Sequence, residues 1–145
     1  MQSDLGTELL RPTHIYVKEA LELLDRVKSV KALVHFTGDG FLNLARVQAE
    51  VGFVIDGLPA IPSIFSIIQP LERVQDAEMF SVFNMGVGFC AIVDEADADL
   101  AISILGSRGK RARRIGYAVA DRKRQISIPQ YRPVGEGKHF RPEKH

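Results

Sequence analysis

Apolar residues recur at Val17, Ala20, Leu21, Leu24 and Val27, the spacing of an amphipathic helix. Lys18, Glu22 and Arg26 stand one turn apart on its outer face, placed for ion pairing. The period then shortens: the run from Ala32 to Phe36 reads as a buried strand. A turn through Thr37-Gly38-Asp39-Gly40 follows, with a short helix to about Val47 and a second strand from Gly52 to Asp56. Pro59 and Pro62 punctuate a loop, and Pro62 suits the first turn of a helix through Gln69. Asp76 is the expected N-cap of a helix from Ala77 to Phe83 that puts Met79, Phe80 and Phe83 on one face. Asn84 to Gly88 breaks that helix and leads to a strand from Phe89 to Val93. Asp94 is expected to cap a helix to Leu105, with Asp97 as the capping-box acid and Gly106 as the stop. Ile115 to Ala120 and Arg124 to Ile128 read as a closing hairpin around Asp121-Arg122. Before the first helix, Met1 to Thr13 reads as extended, with Pro12 disfavouring helix at Arg11. From Pro129 on the chain is polar and punctuated by Pro and Gly, so residues 1–128 are expected to form one domain and 129–145 an extended or disordered tail. Helices alternating with strands, the last two adjacent in sequence, favour a layered α+β fold over a purely parallel sheet.

Composition narrows the class. A chain of 145 residues suits one domain, burying about two-thirds of its unfolded surface. A content of 46% hydrophobic and 26% charged residues is that of a soluble globular protein. Apolar runs such as Phe89 to Val93 are too short to cross a bilayer, and nothing reads as an export signal. Cys90, the single cysteine, reads as a small buried hydrophobe, which fits a reducing cytoplasm. A net charge of +1 exerts no global pull on nucleic acid or membrane.

The stretch Leu33 to Leu44 carries the first candidate chemistry. Strand, Gly-x-Gly turn and helix start in succession can present backbone N–H groups and the positive end of a helix dipole to an anion. The same order also serves simply to turn a chain. Within it, Gly38 and Gly40 would allow close approach, and Thr37 and Asn43 would add side-chain hydrogen bonds. His35 reads either as a core histidine satisfied by backbone or as a group that bonds substrate or handles a proton. Asn84, Gly86 and Gly88 read either as a helix end with packing glycines or as a second backbone-rich edge of a cleft. Arg11 and Thr13 are candidates to point at that cleft, Thr13 with turn chemistry as its alternative. Asp94, Asp97 and Asp99 open an apolar helix and read as capping groups, so no metal site is expected. Basic residues between Lys110 and Arg124 read as a solvated rim, with a non-catalytic nucleotide- or nucleic-acid-binding module as the rival class. No aromatic interleaving accompanies them, so nucleic acid is not the expected partner.

Three blocks carry a resemblance: Gly6 to Val17, His35 to Asn43, and Phe83-Asn84-Met85-Gly86-Val87-Gly88. Together, in this order and spacing, they resemble the C-terminal domain of the aminoimidazole ribonucleotide (AIR) synthetase family, phosphoribosylformylglycinamidine cyclo-ligase of purine biosynthesis. The similarity runs from about Leu5 to Ile128. It implies a three-layer α/β/α domain with a mixed sheet and partial ferredoxin-like topology. It also implies an N-terminal domain that dimerises and binds most of the ATP and Mg. This sequence shows no counterpart of that domain and is expected to be a C-terminal half, inactive alone. The family reaction uses ATP to phosphorylate the formamide oxygen of formylglycinamidine ribonucleotide, and an amidine nitrogen then closes the ring with loss of phosphate. The resemblance gives residues Thr37 to Asn43, Asp39 included, the substrate's phosphate or ribose. Two departures bear on that: many members carry glycine where Asp39 stands, and the family commonly has Arg where His14 stands. Selenophosphate synthetase and thiamine-phosphate kinase share the two-domain plan, and the Phe83 to Gly88 block argues for the cyclo-ligase branch.

Overall fold

The computed structural model describes residues 5–107, 109–136 and 139–142. Helix α1 (Leu5–Leu9) stands where an extended run is expected. Pro12 restrains only the residue before it, and the Leu10 N–H bonds the Gly6 carbonyl at 3.0 Å to complete the turn. Helix α2 (Val17–Arg26) follows, with Arg26 2.9 Å from Glu22. Strand β1 (Ala32–His35) leads through the glycine turn to a 3₁₀ helix, Gly40–Arg46, and then to β2 (Val51–Val54). Helices α3 (Ser63–Leu71) and α4 (Asp76–Val82) come next, then β3 (Phe89–Ile92), a 3₁₀ turn (Glu95–Asp97) and α5 (Ala98–Ser107). Four strands complete the described chain: β4 (Tyr117–Ala120), β5 (Ile126–Ser127), β6 (Pro133–Glu136) and β7 (His139–Pro142). The class is α+β.

Among the described residues the strands form two sheets. In the smaller, β1 and β3 are antiparallel, with Ala32 opposite Ile92 and His35 opposite Phe89. The larger is mixed, in the order β4-β2-β5-β6-β7, with β2 antiparallel to β4 and parallel to β5. The expected hairpin of the segments around Asp121 therefore does not form, because β2 lies between them. Asp121 steers the crossing. Its N–H donates to the Glu50 carbonyl at 3.0 Å, and its carboxylate accepts the N–H groups of Lys123 (2.9 Å) and Gln125 (2.8 Å). Beyond Pro129, the extended chain is organised as paired strands, and Phe140 of β7 is buried in the core.

Side chains alternate across the smaller sheet, as the pleat requires. Leu33, Ala91 and Val93 pack with Leu23 and Val27 of α2 and with Ala101 and Ile104 of α5. Val34, Cys90 and Ile92 join the larger cluster built on Phe41, Leu44, Phe53, Met79, Phe80 and Ile126. Rings run through that cluster from Phe36 to Phe41 (4.9 Å), Phe80 (5.5 Å) and Tyr131 (4.9 Å).

The helix ends differ from expectation in their chemistry. Asp94 is the N-cap residue of the 3₁₀ turn that leads into α5 rather than of α5 itself, and its carboxylate turns to Lys31 at 3.3 Å. Asp97 accepts the Ser29 hydroxyl rather than closing a capping box. Gly106 lies inside α5, which runs on to Ser107. Asp76 is the first residue of α4, with Gln75 as N-cap, and accepts a bond from Gln69 Nε2 at 2.6 Å. On α2 the apolar stripe divides: Leu23 and Val27 are buried, whereas Val17, Leu21 and Leu24 are exposed.

Candidate functional site

A 3₁₀ helix repeats every third residue, so Gly40, Asn43 and Arg46 share one face. That face and β1 enclose a groove of about 360 Å³ lined by Ala32 to His35, Thr37, Asn43, Arg46 and Val47. The Phe36 N–H donates to the Gly88 carbonyl at 3.0 Å, so the register turns the backbone groups of Ala32, Val34 and Phe36 toward β3. Leu33 and His35 consequently turn their N–H and C=O groups away from β3, on a strand whose residues line the groove. The strand and a guanidinium thus line the same space. A smaller cavity of about 160 Å³ between Gln75 to Ala77 and Tyr131 to Pro133 gathers none of the candidate residues.

The loop is held from inside. The Gly40 N–H donates to the Thr37 carbonyl at 2.9 Å. Asn43 is wholly buried, its Nδ2 donating to the Gly40 carbonyl at 2.7 Å and its Oδ1 lying 3.5 Å from the Thr37 hydroxyl. Gly40 has φ +50°, and a Cβ there would meet the carbonyl oxygens of Phe80 and Phe83, the latter at 2.7 Å. The close approach that Gly40 permits is therefore to the end of α4. Gly38 is different: it is exposed, and a Cβ there would find nothing within 4 Å. Asp39 carries a carboxylate beside that open position, and Arg46 Nη2 meets it at 2.6 Å. Nothing in the linear sequence singles out Arg46. Its signal is the three-residue step from Asn43, legible only once the segment is known to be 3₁₀ rather than α.

The end of β1 meets the other two resemblance blocks. Tyr16 stacks on Phe89 at 5.1 Å and stands edge-on to His35 at 5.9 Å, with the His14 ring 6.1 Å away. Gly88 leaves the room that the Tyr16 hydroxyl fills. Lys110 lies over the Tyr16 ring at 5.6 Å and 3.8 Å from the buried Glu19. Burial pushes the Tyr16 phenol up, and the Glu19 carboxylate adds to the rise. His35 is exposed, so it is not the core histidine of the alternative reading. Asn84 Oδ1 accepts the Gly86 N–H at 3.0 Å, and Gly86, at φ +92°, packs on Pro62. Those two residues shape their own turn, while Gly88 supports β1. Arg11 pairs with Glu8 at 2.6 Å on the exposed approach to α2, and Thr13 is exposed there too; neither lines the groove.

Several basic residues are engaged separately. Arg114 meets Glu95 at 3.2 Å and Arg122 meets Glu50 at 3.7 Å, while Arg124 donates to the carbonyls of Ala45 and Val47. Among the described residues no group of three His, Cys, Asp or Glu side chains is placed to hold a metal, and no helix is long and apolar enough to cross a membrane.

The family model described as "AIR synthase related protein, C-terminal domain" matches residues 2–128. The chain belongs to this family. Among its relatives is a protein named phosphoribosylformylglycinamidine cyclo-ligase from Methanothermobacter thermautotrophicus, 47% identical over 126 residues, covering 87% of this chain and 36% of the relative. A Methanococcus maripaludis protein of that name is 55% identical over 100 residues, covering 69% and 28%. Another from Methanocaldococcus jannaschii is 49% identical over 116 residues, covering 79% and 33%. The chain spans about a third of the length of the curated relatives it matches.

Proposed function

We propose that this AIR synthase C-terminal domain works as part of an ATP-dependent cyclo-ligase that closes the imidazole ring of formylglycinamidine ribonucleotide, giving aminoimidazole ribonucleotide in purine biosynthesis. The observation that carries the reading is the family match together with relatives of that name at 47–55% identity. The meeting of all three resemblance blocks around one strand end supports it. In this reading the groove is the substrate-side wall of the cleft. Gly38 lets the ribonucleotide phosphate approach the turn, Arg46 supplies the positive charge, and the His35 and Leu33 N–H groups donate along the strand edge. Thr37 and the exposed His35 ring offer bonds to ribose or base, Asp39 holds the Arg46 guanidinium until the phosphate arrives, and Asn43 and Gly40 hold the turn in shape. Arg11, Thr13, Asn84, Gly86 and Gly88 are assigned to the rim and its support.

The groove's donor set does not suit a hard divalent cation, since its lining carries no carboxylate and the neighbouring Asp39 is turned to Arg46. ATP and Mg are therefore assigned mainly to an N-terminal domain, which is also assigned the homodimer contact, and this chain is inactive alone. The finer fold reading, three α/β/α layers with partial ferredoxin-like topology, draws support from α2 and α5 on one face of the β1–β3 sheet and α4 with the 3₁₀ helix on the other. The test is a titration of the chain with the ribonucleotide, following amide resonances. Shifts at His35, Gly38 and Arg46 are expected, and shifts confined elsewhere overturn the groove. Ring closure catalysed by the chain by itself would overturn the half-enzyme reading.

A further inference from the structure

Helix α2 carries more apolar surface than its fold uses. At about 100° per residue, its buried residues Glu19, Leu23 and Val27 centre some 120° from Val17, Leu21 and Leu24. The second group forms an exposed stripe at i, i+4 and i+7 that no element among the described residues covers. Ahead of the helix, Ile15, Leu10 and Leu9 (the last residue of α1) are exposed as well. These six side chains range from 49% exposed at Leu24 to 84% at Leu10. A single exposed leucine is ordinary, but six such placements on one helix and its lead-in are not.

We infer that this stripe is the seat of the polypeptide that makes up the rest of the relatives, a folded domain presenting an apolar patch of its own. The inference rests on reading this chain as the C-terminal part of a longer enzyme. Two facts select that occupant. The match covers 36% of the Methanothermobacter relative, leaving about two thirds of that polypeptide outside it. The matched family is a C-terminal domain, so the remainder leads into the residue-2 end of the match, a few residues ahead of Leu9 and Leu10 in the sequence. The placement also serves the groove. Tyr16, next to Ile15 and Val17, stands edge-on to His35, so a domain seated on the stripe flanks the end of β1 where the glycine turn begins. One surface then docks the partner and fixes the position of the cleft's second wall.

A thiol footprint tests this. Leu24→Cys is introduced into the 145-residue chain, and a cysteine is placed at the matching position of the full-length Methanothermobacter relative. Both are labelled with a maleimide, and a second reporter at the position of Leu21 guards against one substitution loosening the contact. Cys90 gives little background in the chain, because burial pushes its thiol up to about 11. Rapid labelling is expected in the chain, with labelling at least about tenfold slower in the relative, whose ring-closing activity reports that it is folded. Equally rapid labelling in both overturns the inference. Slow labelling in the chain alone, deepening with protein concentration, assigns the stripe to a second copy and overturns the occupant. A groove variant that leaves ribonucleotide binding intact would overturn the proposed groove without altering these rates.

Discussion

Arg46 Nη2 lies 2.6 Å from Asp39 Oδ2, joining the turn after β1 to the last residue of the 3₁₀ helix. Both side chains are mostly exposed, and such pairs are worth no more than about 1 kcal/mol. That is enough to orient the guanidinium and too little to hold it against a phosphate dianion. In the proposed reading, Asp39 neutralises the turn in the free chain and gives Arg46 up to the ribonucleotide phosphate.

Opposite effects on binding follow for the two partners. Arg46→Ala removes the positive charge and should weaken ribonucleotide binding about tenfold, roughly 1.4 kcal/mol. Asp39→Asn frees the guanidinium and should tighten binding modestly, by no more than the roughly 1 kcal/mol of the pair it breaks. Titration calorimetry on both variants checks the signs; a loss of affinity in Asp39→Asn would show that the carboxylate itself touches the ligand.

The two glycines of the turn separate structure from access. Gly40→Ala combines a positive φ with a Cβ driven into the Phe80 and Phe83 carbonyls, and should cost several kcal/mol of stability. Gly38→Ala meets open space and should change stability by less than about 0.5 kcal/mol. Its effect should fall on ribonucleotide binding instead. Thermal unfolding of the pair, alongside binding to Gly38→Ala, decides between a phosphate-facing Gly38 and a purely architectural turn.

Elements whose side chains pack in one period were legible in the sequence: α2, β1, α4, β3 and α5 each lie within a few residues of their expected spans. Pairing was not. Sequence adjacency of β4 and β5 suggests a hairpin, but nothing local to Tyr117 or Ile126 reports that β2 lies between them. Strands β6 and β7 were hidden because Pro133 and Gly135, both buried, interrupt the apolar alternation that marks a strand. On α2, periodicity finds apolar positions without saying which are covered, so Val17, Leu21 and Leu24 read like Leu23. In the groove, Thr37, Gly38 and Asn43 were visible as a motif, while the division of labour among them depends on what α4 places behind the turn.

Asn43 has its amide wholly inside the turn. Asn43→Ala leaves the Gly40 carbonyl without its side-chain donor in a buried setting, which should cost about 1–3 kcal/mol. Urea unfolding should show a lower midpoint with an unchanged slope. Because the same bond sets the turn, ribonucleotide affinity should fall in the folded variant as well.

The alkaline limb of stability should belong largely to Cys90. Burial raises its thiol from an ordinary 9.0 to about 11, so between those values the folded chain keeps a proton that the unfolded chain releases. The folded state then binds more protons, and stability falls as pH rises through this window while being untouched below it. The loss is of order 2–3 kcal/mol at most. Tyr16, also pushed up by burial, acts in the same direction at higher pH. Asp121 acts on the opposite limb: the Gln125 and Lys123 N–H bonds hold its carboxyl below the usual range, so its contribution is present above that range and lost as pH falls. Unfolding free energies at about pH 7.5, 9 and 10.5 should decline in the parent chain and stay nearly level in Cys90→Ala up to the onset of Tyr16 ionisation. An equal decline in both would assign the alkaline loss elsewhere and mean that the Cys90 thiol is hydrated in the folded chain.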